Sequence, residues 1–296
     1  MKFKHPIFAL LAATIGMSAS AQEAEPPAPK LTLISNVNVF DGKTEKLHEK
    51  MHVLVKGNLI ETVSKEPLAI TQTVNVTMID GGGRTLMPGL IDAHWHSMFN
   101  FWPISKVMSS DLGLLSIAAS QAANDTLMRG FTTVRDVGGN SFPVSRATDS
   151  GMIDGPRVYP SGAYISQTSG HGDFRGPLDV PANPGTPLDY QQRTGHTLIA
   201  DGVPEVIKAT RTALRMGATQ IKAMAGGGVA SLYDPLDVTE YTFEEAKAIC
   251  DVAKTWNTYV AVHCNTDAAI RMWVEAGAMS VEHGFFMKDE TAKLLA

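Results

Sequence analysis

The chain has 296 residues, of which 44% are hydrophobic, and a formal net charge of −5 at pH 7. These values indicate a globular protein with one large domain or two ordinary ones. Because the charge is negative and no run of Lys or Arg is present, we expect neither nucleic acid nor an anionic membrane surface as partner. The only cysteines are Cys250 and Cys264, which excludes a disulfide framework and favours buried free thiols over a single disulfide.

The first 21 residues have the three parts of a secretory signal peptide. A short basic start precedes an apolar stretch at 7–17, and the small residues Ala19 and Ala21 mark a cleavage site. We therefore expect cleavage after Ala21 and a periplasmic or secreted protein, with membrane tethering as the alternative. No later segment has the roughly 18 apolar residues of a stable membrane span. Residues 22–30 contain three prolines and are predicted to be a linker.

Residues 31–86 alternate between short β-rich pieces and turns rich in Gly, Asn and Asp. The turns are expected at Asp41-Gly42, at Gly57-Asn58 and at residues 81–83. This pattern predicts a small β-sandwich-like domain of antiparallel strands.

From Leu86 onward the sequence alternates between apolar strands and helical patterns. Nearly all-apolar strands separated by helices are typical of a parallel sheet covered by helices. We therefore predict an α/β fold, a (β/α)8 TIM-type barrel over residues 87–296. The predicted helices lie at 112–129, 204–216, 242–256 and 267–276. The predicted strands lie at 89–94, 132–137, 157–163, 220–224, 259–263 and 280–282.

A complete barrel of this type needs eight strands, and the pattern supplies about six strand–helix units. The last residues, 291–296, lie inside a helical pattern. We therefore expect the barrel to be incomplete and the chain to be a partial product.

Two histidines, His94 and His96, follow the apolar run 87–93 and lie one residue apart. Side chains at positions i and i+2 of a strand point to the same face, so both imidazoles reach one point. Such a pair is typical of half a metal site. The alternative is two ordinary polar residues at a strand end.

Three further residues are candidates for the same site. Lys222 lies in the middle of an apolar strand, where a Lys needs a reason to be buried, such as carbamylation by CO2. The alternative is a side chain that extends to solvent. His263 and His283 each close a strand, and one strand–helix–strand step separates them, so both are expected at the C-terminal face where barrel active sites lie.

Four motifs together resemble the metal-dependent amidohydrolase superfamily, from residue 31 to the end of the chain. The motifs are residues 87–96, 221–227, 262–263 and 282–284, in the order found in that family. The resemblance implies two divalent metal ions, which we expect to be zinc. It also implies hydrolysis by a water and a carbonyl that the metal pair activates.

The same resemblance assigns the metal ligands. His94 and His96 would hold one ion, His263 and His283 the other, and a carbamylated Lys222 would bridge the two. The family also takes a general base, an aspartate, from its last barrel strand, and no aspartate of this sequence matches it. We interpret Asp136 as a structural or supporting residue, and we expect little or no hydrolase activity from the 296-residue chain.

The long segment 164–202 is rich in Gly and Pro, and loops of that length are often functional. Its residues 167–173 are similar to those of Xaa-Pro dipeptidases and of carboxypeptidase-like and imidazolonepropionase-like amidohydrolases. This similarity suggests that His171 is a catalytic residue that donates a hydrogen bond to the substrate carbonyl or the developing oxyanion, and that Arg175 or Arg193 holds a substrate carboxylate. The alternative is a surface loop ordered by its own hydrogen bonds. The remaining histidines are interpreted as ordinary polar residues: His5, His48, His52 and His196.

These patterns predict an exported, metal-dependent hydrolase of amide bonds, with small-molecule substrates such as dipeptides or N-acyl amino acids. A first alternative is hydrolysis of lactones, cyclic amides or phosphotriesters on the same metals. A second is a partial chain that binds metal without turnover. A homo-oligomer is compatible with the sequence.

Overall fold

The computed structural model describes residues 29–71, 74–179, 187–231 and 233–296. The predicted signal peptide, and the linker up to residue 28, lie outside these residues. The chain divides between Pro88 and Gly89 into two compact units, which are described separately below. In the described parts of the chain, no helix has both the length and the apolar character needed to cross a membrane.

The first unit contains one five-stranded sheet in its described residues. Strands β1 to β3 form an antiparallel meander, whereas β4 and β5 both pair parallel to β1. The prediction of a wholly antiparallel unit is therefore wrong for β4 and β5, and the described residues form no second layer of a sandwich. The inward faces of β1 and β2 supply the core, with Val37, Met51 and Val53 buried. The strands are β1 (Leu31–Val39), β2 (His48–Lys56), β3 (Leu59–Ser64), β4 (Val76–Asp80) and β5 (Thr85–Leu86).

The second unit contains parallel strands in two sheets, as their apolar character predicts. The first sheet has β6 (Leu90–Trp95), β7 (Phe131–Asp136) and β8 (Arg157–Pro160), in that order. The backbone N–H of Thr219 donates to the carbonyl of Pro160 at 2.8 Å and so connects the first sheet with the start of the second. The second sheet has the order β10-β9-β11-β12-β13 and consists of β9 (Tyr164–Ser166), β10 (Thr197–Ile199), β11 (Ile221–Met224), β12 (Val260–Thr266) and β13 (Ser280–Phe286).

Helices connect these strands, and local sequence explains where the longer ones begin and end. Thr242 and Glu245 form a reciprocal capping box at the start of α6. Gly217 and Gly277 end α5 and α7 in the left-handed conformation, which favours glycine. The helices are α1 (Ile104–Ser109), α2 (Leu112–Met128), α3 (Phe142–Asp149), α4 (Tyr190–Arg193), α5 (Val203–Met216), α6 (Phe243–Thr255), α7 (Asp267–Ala276) and α8 (Asp289–Leu295).

The largest core lies between the second sheet and helices α5, α6 and α7. Trp273 is its largest fully buried side chain. Cys250 and Cys264 are both buried and free, which confirms the interpretation of buried thiols. Burial raises the pKa of each thiol to about 12, so neither is a reactive thiolate at neutral pH.

Two sequence predictions about this unit need correction. The strand predicted at 157–163 ends at Pro160, and a separate strand, β9, begins at Tyr164 in the other sheet. The long loop predicted at 164–202 contains β9, α4 and β10, because elements of three or four residues are too short to show periodicity.

Candidate active site

The carboxyl ends of the parallel strands in the second unit surround a cavity of about 630 Å³. Parallel strands that enter from one side present their last residues at one face, which is where this fold places its functional groups. Besides Asn265 and the phenol of Tyr164, six polar side chains of described residues line the cavity. They are His94, His96, His171, Lys222, His263 and His283. The structure thus brings the five predicted metal ligands and the predicted catalytic histidine into one cavity.

The imidazoles of the predicted ligands lie close to one another. The Nε2 atoms of His94 and His96 are 3.2 Å apart, because alternate residues at the end of β6 point to the same side. The ring of His283 is 4.8 Å from that of His94 and 4.6 Å from that of His263, measured between centroids. His283 has φ +75°, an unusual backbone conformation for a non-glycine residue, so the chain holds this histidine in a locally strained position.

Three of these imidazoles, those of His96, His263 and His283, are neutral at neutral pH. Burial, together with the nearby His94 and Lys222, lowers the pKa of His96 to about 3. Burial also lowers the pKa of His263 to about 2 and that of His283 to about 4. A neutral imidazole carries a free lone pair, which is the form that binds a metal ion.

Lys222 is 2% exposed, and its Nζ has no hydrogen-bond partner in the described part of the chain. Burial lowers its pKa to about 8, although the negative charge of Glu282 opposes the shift. A neutral amine is therefore accessible at mildly alkaline pH. A buried lysine in this state has no structural partner that explains it, which favours a chemical role.

Glu282 and Arg135 support His94, and sequence analysis missed both. The Glu282 carboxylate accepts from His94 Nδ1 at 2.6 Å and from Arg135 at 2.5 Å. Arg135 also donates to the carbonyl of Ala93 at 2.6 Å and to Ser280 Oγ at 3.0 Å, so one guanidinium joins β6, β7 and β13. Arg135 and Glu282 could have been noticed in the sequence, because each is a charged residue inside a predicted apolar strand.

His171 is held by two carboxylates that sequence analysis also missed. Its Nδ1 lies 2.9 Å from Asp234 Oδ2, and its backbone N–H donates to Glu240 Oε1 at 2.8 Å. Its ring stacks on that of His263 with a centroid distance of 3.9 Å and an interplanar angle of 11°. Burial raises the pKa of Glu240 to about 8, so this carboxyl is mostly protonated at neutral pH.

The structure does not bring the two predicted carboxylate-binding arginines to the cavity lining. Arg175 forms a bidentate pair with Asp173, with Nε–Oδ1 and Nη2–Oδ2 distances of 2.8 and 2.6 Å. Arg193 lies in the last turn of α4 and is exposed. Asp136 is buried and accepts from the backbone N–H of Ser97 at 2.7 Å, as expected for a structural carboxylate.

The other described histidines lie outside the cavity lining. His196 is buried, with Nδ1 2.6 Å from Thr194 Oγ1, and burial lowers its pKa to about 4. His48 is exposed beside Asp41, and His52 is partly buried in β2. His5 lies outside the described residues.

The donor atoms that line the cavity are of the chemical type that binds a metal ion. His96 Nδ1 and Lys222 Nζ are buried polar atoms without partners in the described chain, and the imidazoles of His96, His263 and His283 are neutral nitrogen donors. Within the described ranges, however, no three His, Cys, Asp or Glu side chains already form a metal-binding set. Metal ligation by the five predicted residues therefore stays a prediction.

Comparison with known proteins points to one family. The sequence profile of the amidohydrolase family matches residues 85–296. The chain is 33% identical over 287 residues to an ochratoxinase of Aspergillus niger, which covers 94% of this chain and 58% of that protein.

Solved structures give the same picture. A prolidase complexed with N-methylphosphonate-L-proline is 37% identical, with a TM-score of 0.82 over 90% of this chain and 64% of that one. A Xaa-Pro dipeptidase with methionine in its active site is 30% identical, with a TM-score of 0.75 over 90% of this chain and 64% of that one. The chain thus spans about three fifths of the length of these relatives.

Proposed function

We propose, on the premise that the chain belongs to the amidohydrolase family in its dipeptidase-like branch, that it is an exported hydrolase of amide bonds that depends on metal ions. The observation that carries the proposal is the convergence of four histidines and a buried lysine in one cavity. The fold of the family is TIM-barrel-like, and the mixed α/β architecture of the second unit agrees with it. We expect dipeptides or N-acyl amino acids as substrates and a periplasmic or secreted location.

In this proposal two divalent ions, expected to be zinc, are held by this chain's own residues. His94 and His96 would hold one ion and His263 and His283 the other, with Lys222 between them. Bound metal ions would supply Lewis-acid activation of water and of the scissile carbonyl. Glu282 would orient His94 by accepting from its Nδ1, which leaves Nε2 toward the cavity.

Lys222 would serve as a carbamate. Its neutral amine would attack the carbon of CO2: one N–C bond forms, one C–O π bond gives its electron pair to oxygen, and the nitrogen passes one proton to water, which leaves a carboxylate-like anion. Only the neutral amine carries the lone pair for this step, and the lowered pKa of about 8 supplies it at moderate pH. An anion at this position would also remove the problem of a buried cation without a partner.

The cavity wall favours a substrate with an apolar group. Phe99, Phe174, Met224 and Phe285 lie in the lining, and Lys222 is the one cationic residue among its described members apart from titratable histidines. Recognition of a substrate carboxylate by Arg175 or Arg193 would require either side chain to leave its position in this structure. We therefore place the apolar part of the substrate against the phenylalanines.

The cavity lining contains no Asp or Glu among the described residues. A positioned general base contributes about 10² to 10⁴ in rate. We therefore expect slow turnover from the 296-residue chain even when metal is supplied.

The test is a hydrolysis assay on the zinc-loaded chain. Xaa-Pro dipeptides and N-acyl amino acids are compared with lactones and phosphotriesters, and binding of a phosphonate dipeptide analogue is measured by calorimetry. We expect slow amide hydrolysis that a chelator abolishes, and analogue binding that His96→Asn weakens while His48→Asn does not. Turnover of lactones or phosphotriesters alone, or neither amide turnover nor analogue binding, would overturn the proposal.

A further inference from the structure

The loop after β11 contacts the loop after β9 at the edge of the cavity, and His171 takes part in three of these contacts. Asp234 Oδ2 lies 2.9 Å from His171 Nδ1 and also accepts from the backbone N–H of Gly228 at 2.8 Å. The side chain of Asp234 is fully buried, so the contact is shielded from water. One oxygen atom therefore joins the histidine ring to the glycine backbone of the opposite loop.

The position of the His171 ring is fixed by packing as well as by hydrogen bonds. One face stacks on His263, and a Cβ atom on Gly228 would lie 2.1 Å from His171 Cε1. Only a glycine at position 228 leaves room for the ring. Glu240 holds the His171 backbone, so the main chain and the ring are each held by a different carboxyl group.

The partners of Nδ1 decide which ring nitrogen carries the proton. Ser231 Oγ lies 2.9 Å from Nδ1 and can either donate or accept. An Asp234 carboxylate can only accept, so Nδ1 must carry a proton. Nε2, on the other side of the ring, has no hydrogen bond to another described residue.

From this arrangement we propose that Asp234 is a positioning residue that keeps Nδ1 of His171 protonated and bonded to its carboxylate, with Nε2 presented to the cavity. The inference rests on the proposed function, because it gives His171 a role toward substrate or water in the cavity.

Two substitutions separate the hydrogen bond from the charge. In Asp234→Asn the amide oxygen can replace Oδ2 and accept from both His171 and Gly228, while the amide nitrogen takes the place of Oδ1, which has no partner in the described chain. Asp234→Ala removes the acceptor altogether. Ser231→Ala is the matched control, because it removes the other neighbour of Nδ1.

The experiment is a long-range ¹H–¹⁵N NMR spectrum of the imidazoles in the ¹⁵N-labelled full chain, with His171→Gln to assign the signal. We expect Nδ1 to be protonated in the wild type, in Asp234→Asn and in Ser231→Ala, and to lose its proton in Asp234→Ala. An unprotonated Nδ1 in the wild type would overturn the proposal, as would loss of that proton in Ser231→Ala. Both results are informative even if Asp234→Ala does not fold.

Turnover supplies the second readout. With an amide substrate we expect Asp234→Ala to lower kcat by about 10- to 100-fold while KM changes less than about twofold, as for the loss of a supporting partner. Asp234→Asn should recover most of kcat, and equal losses in both variants would contradict the positioning role. If no substrate is hydrolysed, the proposed function fails, while the NMR measurement still decides the inference about Asp234.

Discussion

Two histidines of the cavity lining are each paired with a carboxylate that lies outside the lining, and the two pairs are built in different ways. His94 and Glu282 lie 2.6 Å apart on the strands β6 and β13, whereas His171 and Asp234 lie 2.9 Å apart on two loops. The strand pair is tied to Arg135, which joins three strands. The loop pair depends on backbone contacts and on the absence of a side chain at Gly228.

This difference indicates how the structure of each pair would respond to amino-acid substitution. Strand ladders hold the first pair in place, so a substitution there removes a charge from an otherwise rigid setting. The second pair has no ladder, so small changes in loop packing should move the ring itself. Lys222 lines the same cavity as the histidines of both pairs. We expect its substitution to have the largest effect on metal binding and hydrolysis.

Lys222→Ala should release metal and abolish hydrolysis, because both proposed metal ions share this residue. The loss of even a supporting residue lowers metal affinity by 10- to 100-fold, so we expect a reduction of about 10² or more here. Metal analysis after dialysis measures it. Short carboxylic acids should restore part of the activity to Lys222→Ala, whereas Lys222→Arg should stay inactive because guanidinium cannot bind a cation. Unchanged metal content in Lys222→Ala would make this residue purely structural.

Glu282→Gln tests the strand pair through stability. Arg135 would keep its charge in a mostly buried position without its carboxylate, and such a loss costs about 3 to 5 kcal/mol in free energy of unfolding. Urea denaturation measures this change. Asp251→Asn is the control, because the exposed pair of Lys247 and Asp251 should contribute less than about 0.5 kcal/mol. Equal effects of the two substitutions would show that the strand pair is not specially stabilising.

Glu240→Gln tests the support of the His171 loop through the pH dependence of stability, because Glu240 accepts from the His171 backbone. The pKa of Glu240 rises from 4.5 in the unfolded chain to about 8 in the folded one. The folded protein therefore keeps a proton that the unfolded chain releases, and the contribution of this group to stability is full below pH 4.5 and is lost as pH rises to 8. Relative to the glutamine variant, the wild type should lose about 1.4 kcal/mol per pH unit in this window. Parallel stability curves for the two proteins would contradict the burial of an un-ionised carboxyl.

Gly228→Ala should displace the His171 ring at a smaller energetic cost. The added Cβ would meet His171 Cε1 at 2.1 Å, and overpacking of this kind costs about 1 to 3 kcal/mol. We expect kcat to fall while the strand pair keeps its metal affinity. Gly176→Ala in the β9–β10 connection is the control, because its Cβ would meet Asp179 at an ordinary 3.4 Å. A wild-type kcat in Gly228→Ala would show that the ring position is not critical.

Sequence analysis predicted the strand side of the site better than the loop side. Periodicity placed β6, β11 and β12, and residues at strand ends meet at one face of a parallel sheet, so His94, His96 and His263 could be placed together. Glu282 was missed as a partner because Arg135, which holds it, lies 147 residues away along the chain. A local sequence pattern cannot predict a contact between residues so far apart in the chain.

The loop side could not be predicted for a different reason. Asp234 meets His171 only because the loops fold onto each other, and neither loop has a period that would place its side chains. Arg175 illustrates the same limit, since its neighbour Asp173 holds its guanidinium away from the role that the motif suggested.

The most direct test of the account is the number of zinc ions bound to the purified 296-residue chain, measured by calorimetric titration and elemental analysis. We expect about two ions in the wild type and about one in either His96→Asn or His263→Asn, because the two histidines are assigned to different ions. We expect no change in His48→Asn. A chain that binds no zinc, or whose zinc content is unchanged by substitution of both His96 and His263, would contradict the account.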